Sequence, residues 1–144
     1  MGSAFSTKVT REAGQLSIPS DIGRDLLEGE VVIRDPANYN EANLPSAITN
    51  DVFGVLDEPA GAAAGQELPA RFVRAGQRKV RIQDNATLAL YALLQPSASD
   101  AGSAVTATTG GHVFARALEA IGSGTTDQYA LCEIFADGPV YLAP

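Results

Sequence analysis

Apolar and polar residues alternate in short runs along this chain, and most runs end at glycine, proline or asparagine. Short runs that are rich in β-branched residues are typical of β-strands, and the residues that end them are typical of tight turns. The stretch 51–82 has the clearest pattern. It predicts three successive strands, at 52–56, 68–73 and 79–82.

The same order of strands and turns recurs near the C-terminus, where the pattern predicts strands at 113–119, 129–135 and 140–142. One offset of 61 residues aligns the two stretches from Leu27 to Ala136. We therefore predict two similar β units, 22–82 and 83–143. The aligned pairs include Leu27 with Leu88, Val52 with Val113, Phe53 with Phe114, Glu58 with Glu119, and Ala75 with Ala136.

The first 20 residues carry apolar side chains without a sustained period, and Pro19 ends any regular element there. We predict an N-terminal arm over 1–20, either frayed or held as an added strand by a neighbouring chain. Residues 21–30 predict one helical turn that ends at Gly29. A strand at 31–33 follows, and 37–50 is predicted as a long loop.

Residues 87–95 fit two structures. Leu88, Tyr91 and Leu94 recur at helical spacing, whereas alternating apolar positions and the following Pro96 favour a strand. The repeat aligns this segment with a strand, so we predict a turn followed by a strand. Residues 104–108 predict another short strand.

Short strands with a turn about every ten residues predict an all-β protein, a small barrel or sandwich with little helix. The chain has 144 residues, the usual size of one domain, and we assign 21–144 to it. The composition is 45% hydrophobic, but much of this is alanine and tryptophan is absent. We therefore expect a thin core and some stabilisation by assembly.

The net charge of −7 argues against binding to nucleic acid or to anionic membranes. Residues 12–67 contain eleven acidic and two basic side chains, whereas 71–81 contains five cations and no acid. We expect these cations either to line the solvent face of strands or to contact an acidic partner or the acidic half of a neighbouring copy. They are Arg71, Arg74, Arg78, Lys79 and Arg81.

Candidate catalytic chemistry is sparse. Cys132 is the only cysteine, so no disulfide forms within the chain, and its apolar surroundings predict a buried thiol. His112 is the only histidine and is predicted at a turn or strand end. The chain contains no nucleophile elbow and no phosphate-binding glycine motif.

The acidic residues also lack a catalytic or metal-binding arrangement. Asp57 with Glu58, and Glu28 with Glu30, lack the aromatic platform of a glycosidase, and 35–51 lacks calcium-loop spacing. We expect no enzyme activity, cofactor or metal. No apolar run is long enough to span a membrane, and no signal peptide begins the chain, so we expect a cytoplasm-like compartment.

Three segments resemble the capsid decoration, or cement, proteins of tailed bacteriophages. The family pattern L-x-x-G-x-V-V is similar to residues 26–32. Its V-F-G-V strand is similar to 52–56, and its V-G-x-A-L-E strand is similar to 114–120. The resemblance spans 22–143. It departs from the family at 89–91, Ala-Leu-Tyr, where a Gly-Asp turn is expected.

The resemblance implies a non-enzymatic protein that is made in the host cytoplasm and binds the outer surface of the phage head. It implies contacts with the major capsid protein across capsomer boundaries, and a homotrimer. The alternative is a fibre, baseplate or adhesion module that binds a host ligand through 37–50. A small hydrolase using His112 is a third reading. The predicted partner-binding residues are the five cations above together with Phe5, Lys8, Val9 and Arg11 of the arm.

Overall fold

The computed structural model describes residues 14–60 and 69–144, and the prediction of an all-β fold is confirmed. A 3-10 helix at Ser20–Ile22 is the one helical segment in these ranges. The strands are β1 (Gln15–Ser17), β2 (Val31–Arg34), β3 (Ala42–Asn43), β4 (Val52–Leu56), β5 (Pro69–Val73), β6 (Ala75–Ile82), β7 (Leu93–Pro96), β8 (Ala104–Thr106), β9 (His112–Val113), β10 (Ala115–Ala117), β11 (Gln128–Phe135) and β12 (Tyr141–Leu142).

The strands form two successive five-stranded units. The first has the order β1-β5-β4-β2-β3, and a parallel bridge from Ser17 to Glu41 joins its two edges; we call it the first barrel. The second barrel is closed in the order β6-β11-β10-β7-β8, through a parallel pair between Ile82 and Ala104. The short strands β9 and β12 pair with each other beside the second barrel.

The second barrel repeats the strand pairing of the first. The pair Val31–Val55 joins β2 to β4, and Leu93–Arg116 joins β7 to β10 in the same way. Every ladder has such a counterpart, with an offset of 64 residues for β1, 62 for β2 and β3, 61 for β4 and 60 for β5. The predicted offset of 61 lies within this range, and the variation shows that residues were gained or lost in the loops.

The buried side chains follow the same correspondence. The first core contains Leu16, Leu26 and Phe72, and the second contains Val80, Leu88 and Cys132 at the corresponding positions. Each small barrel therefore closes around its own apolar interior, since alternate residues of each strand point inward.

Two predicted boundaries are wrong. Residues 15–20 are not part of an arm, because β1 pairs with β5 and both Leu16 and Ile18 are fully buried. The first unit does not extend to 82, because β6 pairs with β11 in the second barrel. Residue 74 is the single residue between β5 and β6, so the two barrels meet there without a linker.

Local predictions had mixed outcomes. The helical turn ends at Gly23, which adopts a positive φ of 83°, and not at Gly29. The strand predicted at 79–82 begins at Ala75. The turn followed by a strand at 87–95 is found, although the strand is Leu93–Pro96 and includes the proline. The predicted strand 113–119 is divided between β9 and β10.

Candidate partner-binding surfaces

Three of the five cations predicted to contact a partner are paired within the chain. Arg78 forms an exposed ion pair with Asp57 at 3.1 Å. Lys79 lies 2.8 and 3.0 Å from the two carboxylate oxygens of Glu119, and this hydrogen bond lowers the pKa of that carboxyl. The surface of β6 is therefore largely neutralised by neighbouring carboxylates.

Arg81 turns inward at the junction of the two barrels. Its Nη1 lies 3.2 Å from Oε1 of Glu30, a carboxylate that is completely buried. Arg24 makes two hydrogen bonds to the same carboxylate, at 2.6 and 2.9 Å, and the Leu27 N–H donates a further one at 2.7 Å. Removal of one member of this cluster would leave a buried charge unpaired and would be strongly destabilising, so Arg81, whose side chain is only 14% exposed, is engaged within the chain at this junction.

The other predicted residues have different fates. Arg71 is exposed on β5, opposite Gln15. Arg74 lies at the joint between the barrels and is part of the recess described in the following paragraphs. Phe5, Lys8, Val9 and Arg11 lie outside the described residues, so their role stays a prediction.

A recess between the first barrel and residues 136–140 contains two arginines around one aromatic ring. The guanidinium of Arg34 lies 4.9 Å from the centre of the Phe53 ring, and that of Arg74 lies 4.4 Å from it. Tyr39, which is 74% exposed, stacks on Arg34 at 3.9 Å. Such stacking fixes the plane of each guanidinium and leaves its edge free to donate hydrogen bonds.

Hydrogen bonds to the backbone hold both arginines in place. Arg74 Nε donates to the Phe53 carbonyl at 2.9 Å, and Arg34 donates to the Tyr39 carbonyl. Within the described residues no ion pair joins either guanidinium to a carboxylate. The recess has a volume of about 410 Å³ and also includes Asp51 and Asp137 in its wall.

Comparison of the barrels shows that these arginines are specific to the first one. Phe114 corresponds to Phe53, and the residues that correspond to Arg34 and Arg74 are Pro96 and Ile134. The second barrel thus covers its phenylalanine with apolar groups, and Phe114 is fully buried. Sequence reasoning included Arg74 and missed Arg34 and Tyr39. The predicted offset of 61 pairs Arg74 with an apolar residue, Phe135, and this difference between the repeats is the sequence signal that points to the site.

His112 and Cys132 are both buried. His112 Nδ1 accepts a hydrogen bond from the Val52 N–H at 3.3 Å, and Nε2 lies 3.3 Å from Asp51. Burial lowers the pKa of His112, and the nearby Asp51 opposes this shift. Burial, followed by the charge of Glu119, raises the pKa of Cys132 to about 12, so its thiol is protonated at neutral pH.

A second, more apolar groove lies outside the second barrel. It has a volume of about 530 Å³, and its floor is formed by outward side chains of β7, β9, β10 and β11. Residues 138–144 form the opposite wall, where Tyr141 packs edge-to-face on Phe135. Tyr141 and Leu142 of this wall are each more than half exposed. Clustered apolar surface of this kind marks a contact site more often than isolated exposed residues do.

The turn before β7 carries two further exposed apolar residues, Leu90 and Tyr91. Tyr91 has a φ of 66°, a conformation that is rare for a bulky side chain. The corresponding residue of the first barrel is Gly29, with a φ of 93°. An added Cβ at Gly29 would lie 2.9 Å from the Tyr129 ring, so close contact with the second barrel requires glycine there.

No protein-family model matches the chain, and no curated protein matches it. Among residues 14–60 and 69–144, no three His, Cys, Asp or Glu side chains are grouped so as to hold a metal ion. A helix of the length and apolar character needed to cross a membrane is not found in the described ranges.

Proposed function

We propose that this protein is a capsid decoration protein, which binds the outer face of an assembled phage head and stabilises it across capsomer boundaries. The observation that carries the proposal is the position of the family-like segments. Residues 26–32 lead into β2, 52–56 form β4, and 114–120 begin within the second barrel's counterpart of β4. The chain contains two similar β units, and the segments that carry the resemblance lie in both.

The arginine recess supports a binding role. Aromatic and arginine side chains contribute more to partner affinity than most surface residues, and here stacking holds them in place before binding. The exposed edges of the two guanidiniums fit the carboxylates of an acidic surface, because each guanidinium can donate two parallel hydrogen bonds to one carboxylate. Many such modest contacts, repeated by the symmetry of a shell, give strong overall attachment.

The direct test is co-sedimentation with purified empty heads of the phage that encodes the chain. We expect the protein to pellet with the heads in a fixed ratio and to raise their resistance to heat. The double variant Arg34→Ala/Arg74→Ala removes both guanidiniums of the recess. We expect it to weaken binding at least about tenfold, since each arginine is a candidate hot spot.

The matched control is Arg71→Ala/Arg78→Ala. It removes the same number of positive charges from exposed positions of β5 and β6, outside the recess. Equal loss of binding in both double variants would show that net charge and not the recess determines attachment. Protein that stays in the supernatant at all concentrations would refute the decoration role and favour the adhesion module, with Tyr39 and the 37–50 loop as its binding site.

A further inference from the structure

The groove on the second barrel corresponds to a surface that is already an interface within this chain. Val31, Val52 and Val55 of the first barrel are buried in the core cluster of the second barrel, and Val73 packs against the same cluster. The strand pairing relates these four positions to Leu93, Val113, Arg116 and Glu133. All four of the latter line the groove.

The turn before β7 shows the same correspondence between an internal contact of the first barrel and an exposed position of the second. Gly29 lies against Tyr129 and Lys79 of the second barrel, and its counterpart is the exposed Tyr91. The face through which the first barrel contacts the second is therefore repeated on the second barrel, where nothing in the described chain covers it fully. Residues 136–143 follow β11 as β6 follows β5, and they form one wall of the open face.

We propose that this open face binds a second copy of the chain, so that the contact between the two barrels of one molecule is continued from one molecule to the next. The occupant is a barrel of the same kind, because the groove is the counterpart of a surface that fits a barrel. The contact is head-to-tail, since the two surfaces that meet are different, and such contacts close into rings or extend as filaments.

The differences between the two faces suit contact between separate molecules. Two valines of the internal face are replaced by Arg116 and Glu133, which are cross-strand neighbours. Charged side chains on a surface that is open in the single chain favour its solubility. The rim of the open face carries exposed apolar area from Tyr91, Tyr141 and Leu142. The corresponding internal face is already held by the second barrel and requires no such exposed area.

Analytical ultracentrifugation over a wide range of concentration tests the proposal without any capsid. We expect concentration-dependent self-association of the full chain into species larger than a dimer. Tyr91→Gly, which introduces the residue of the first barrel, is expected to raise the dissociation constant about tenfold or more. Leu142→Asp changes an exposed residue on the opposite wall and should have a similar effect.

Leu27→Ala is the control, because Leu27 is an exposed leucine of the first barrel, outside the lining of the groove. Its association should match that of the unmodified chain. A chain that stays monomeric at all concentrations would overturn the proposal. So would association that Leu27→Ala disrupts and that Tyr91→Gly and Leu142→Asp leave unchanged. Far-UV circular dichroism checks that each variant retains its strands.

Discussion

At the scale of the residue, equivalent positions in the two barrels carry different side chains because their surroundings differ. Position 29 must be glycine, since the backbone has a positive φ and the second barrel leaves no space for a Cβ. Position 91 has the same backbone conformation and open space, so it carries tyrosine at some conformational cost.

This difference predicts that two substitutions change the free energy of unfolding by different amounts. Gly29→Ala should lower the free energy of unfolding by about 1–3 kcal/mol, since it combines a strained φ with a close contact. Tyr91→Gly should change it by less than about 1 kcal/mol, because relief of strain offsets the greater freedom of glycine in the unfolded chain. Urea unfolding followed by circular dichroism measures both. A larger loss in Tyr91→Gly than in Gly29→Ala would contradict this account.

At the scale of the element, the contact between β9 and the start of β4 depends on the neutral form of His112. The backbone N–H of His112 donates to the Ile48 carbonyl, and the imidazole ring accepts a hydrogen bond from the Val52 N–H at the start of β4. A protonated ring has no lone pair for Val52, and burial disfavours its charge. The ring therefore holds Val52 only while it is uncharged, whereas the backbone hydrogen bond to Ile48 does not depend on the charge of the ring.

The lowered pKa of His112 determines the direction of the pH dependence. The unfolded chain gains a proton near the ordinary histidine pKa of about 6.5, at a pH where the folded chain does not. Its contribution to stability is complete above that pH and declines as the pH falls toward the lowered pKa. Urea unfolding at pH 7.5 and 5.5 measures this loss, and His112→Asn should reduce it. An equal pH dependence in the variant would assign the effect to carboxylates instead.

Element by element, sequence patterns predicted β4 and β11 well, whereas they found only the second half of β6. Residues 52–56 and 129–135 combine β-branched or aromatic residues with clear turn signals, and both segments are strands. The pattern failed at β1, because three residues before Pro19 are too few to show alternation. It also placed the unit boundary after β6, since that boundary depends on which strands pair and not on where turns occur. The recess depends on the same strand pairing, because Arg34 lies on β2 and Arg74 lies at the joint between β5 and β6.

At the scale of the whole molecule, the two barrels share buried contacts and should unfold as one unit. Val31, Val52 and Val55 belong to the first barrel by strand pairing and to the second by packing. The buried Cys132 reports on the second barrel, because a thiol with a pKa of about 12 reacts only when the barrel opens. It is the single cysteine of the chain, so labelling has one site.

Leu16→Ala tests this coupling, because Leu16 lies wholly within the first core. The substitution should destabilise the chain by about 2–5 kcal/mol, the range for a buried leucine. In a cooperative molecule, Cys132 should then react with a thiol reagent at correspondingly lower urea concentration, in step with the circular dichroism transition. Labelling that stays at the urea concentration of the unmodified chain would show that the barrels unfold independently.

The single-residue joint at Arg74 has a mechanical consequence. With β5 and β6 separated by one residue and the buried Glu30 cluster bridging the same junction, the barrels cannot swing relative to each other as beads on a string do. The two barrels behave as one rigid body, so the arginine recess and the apolar groove keep one spacing and one orientation. The partners that bind these two sites on one molecule are therefore held at a fixed spacing and orientation, as neighbours in a regular lattice are.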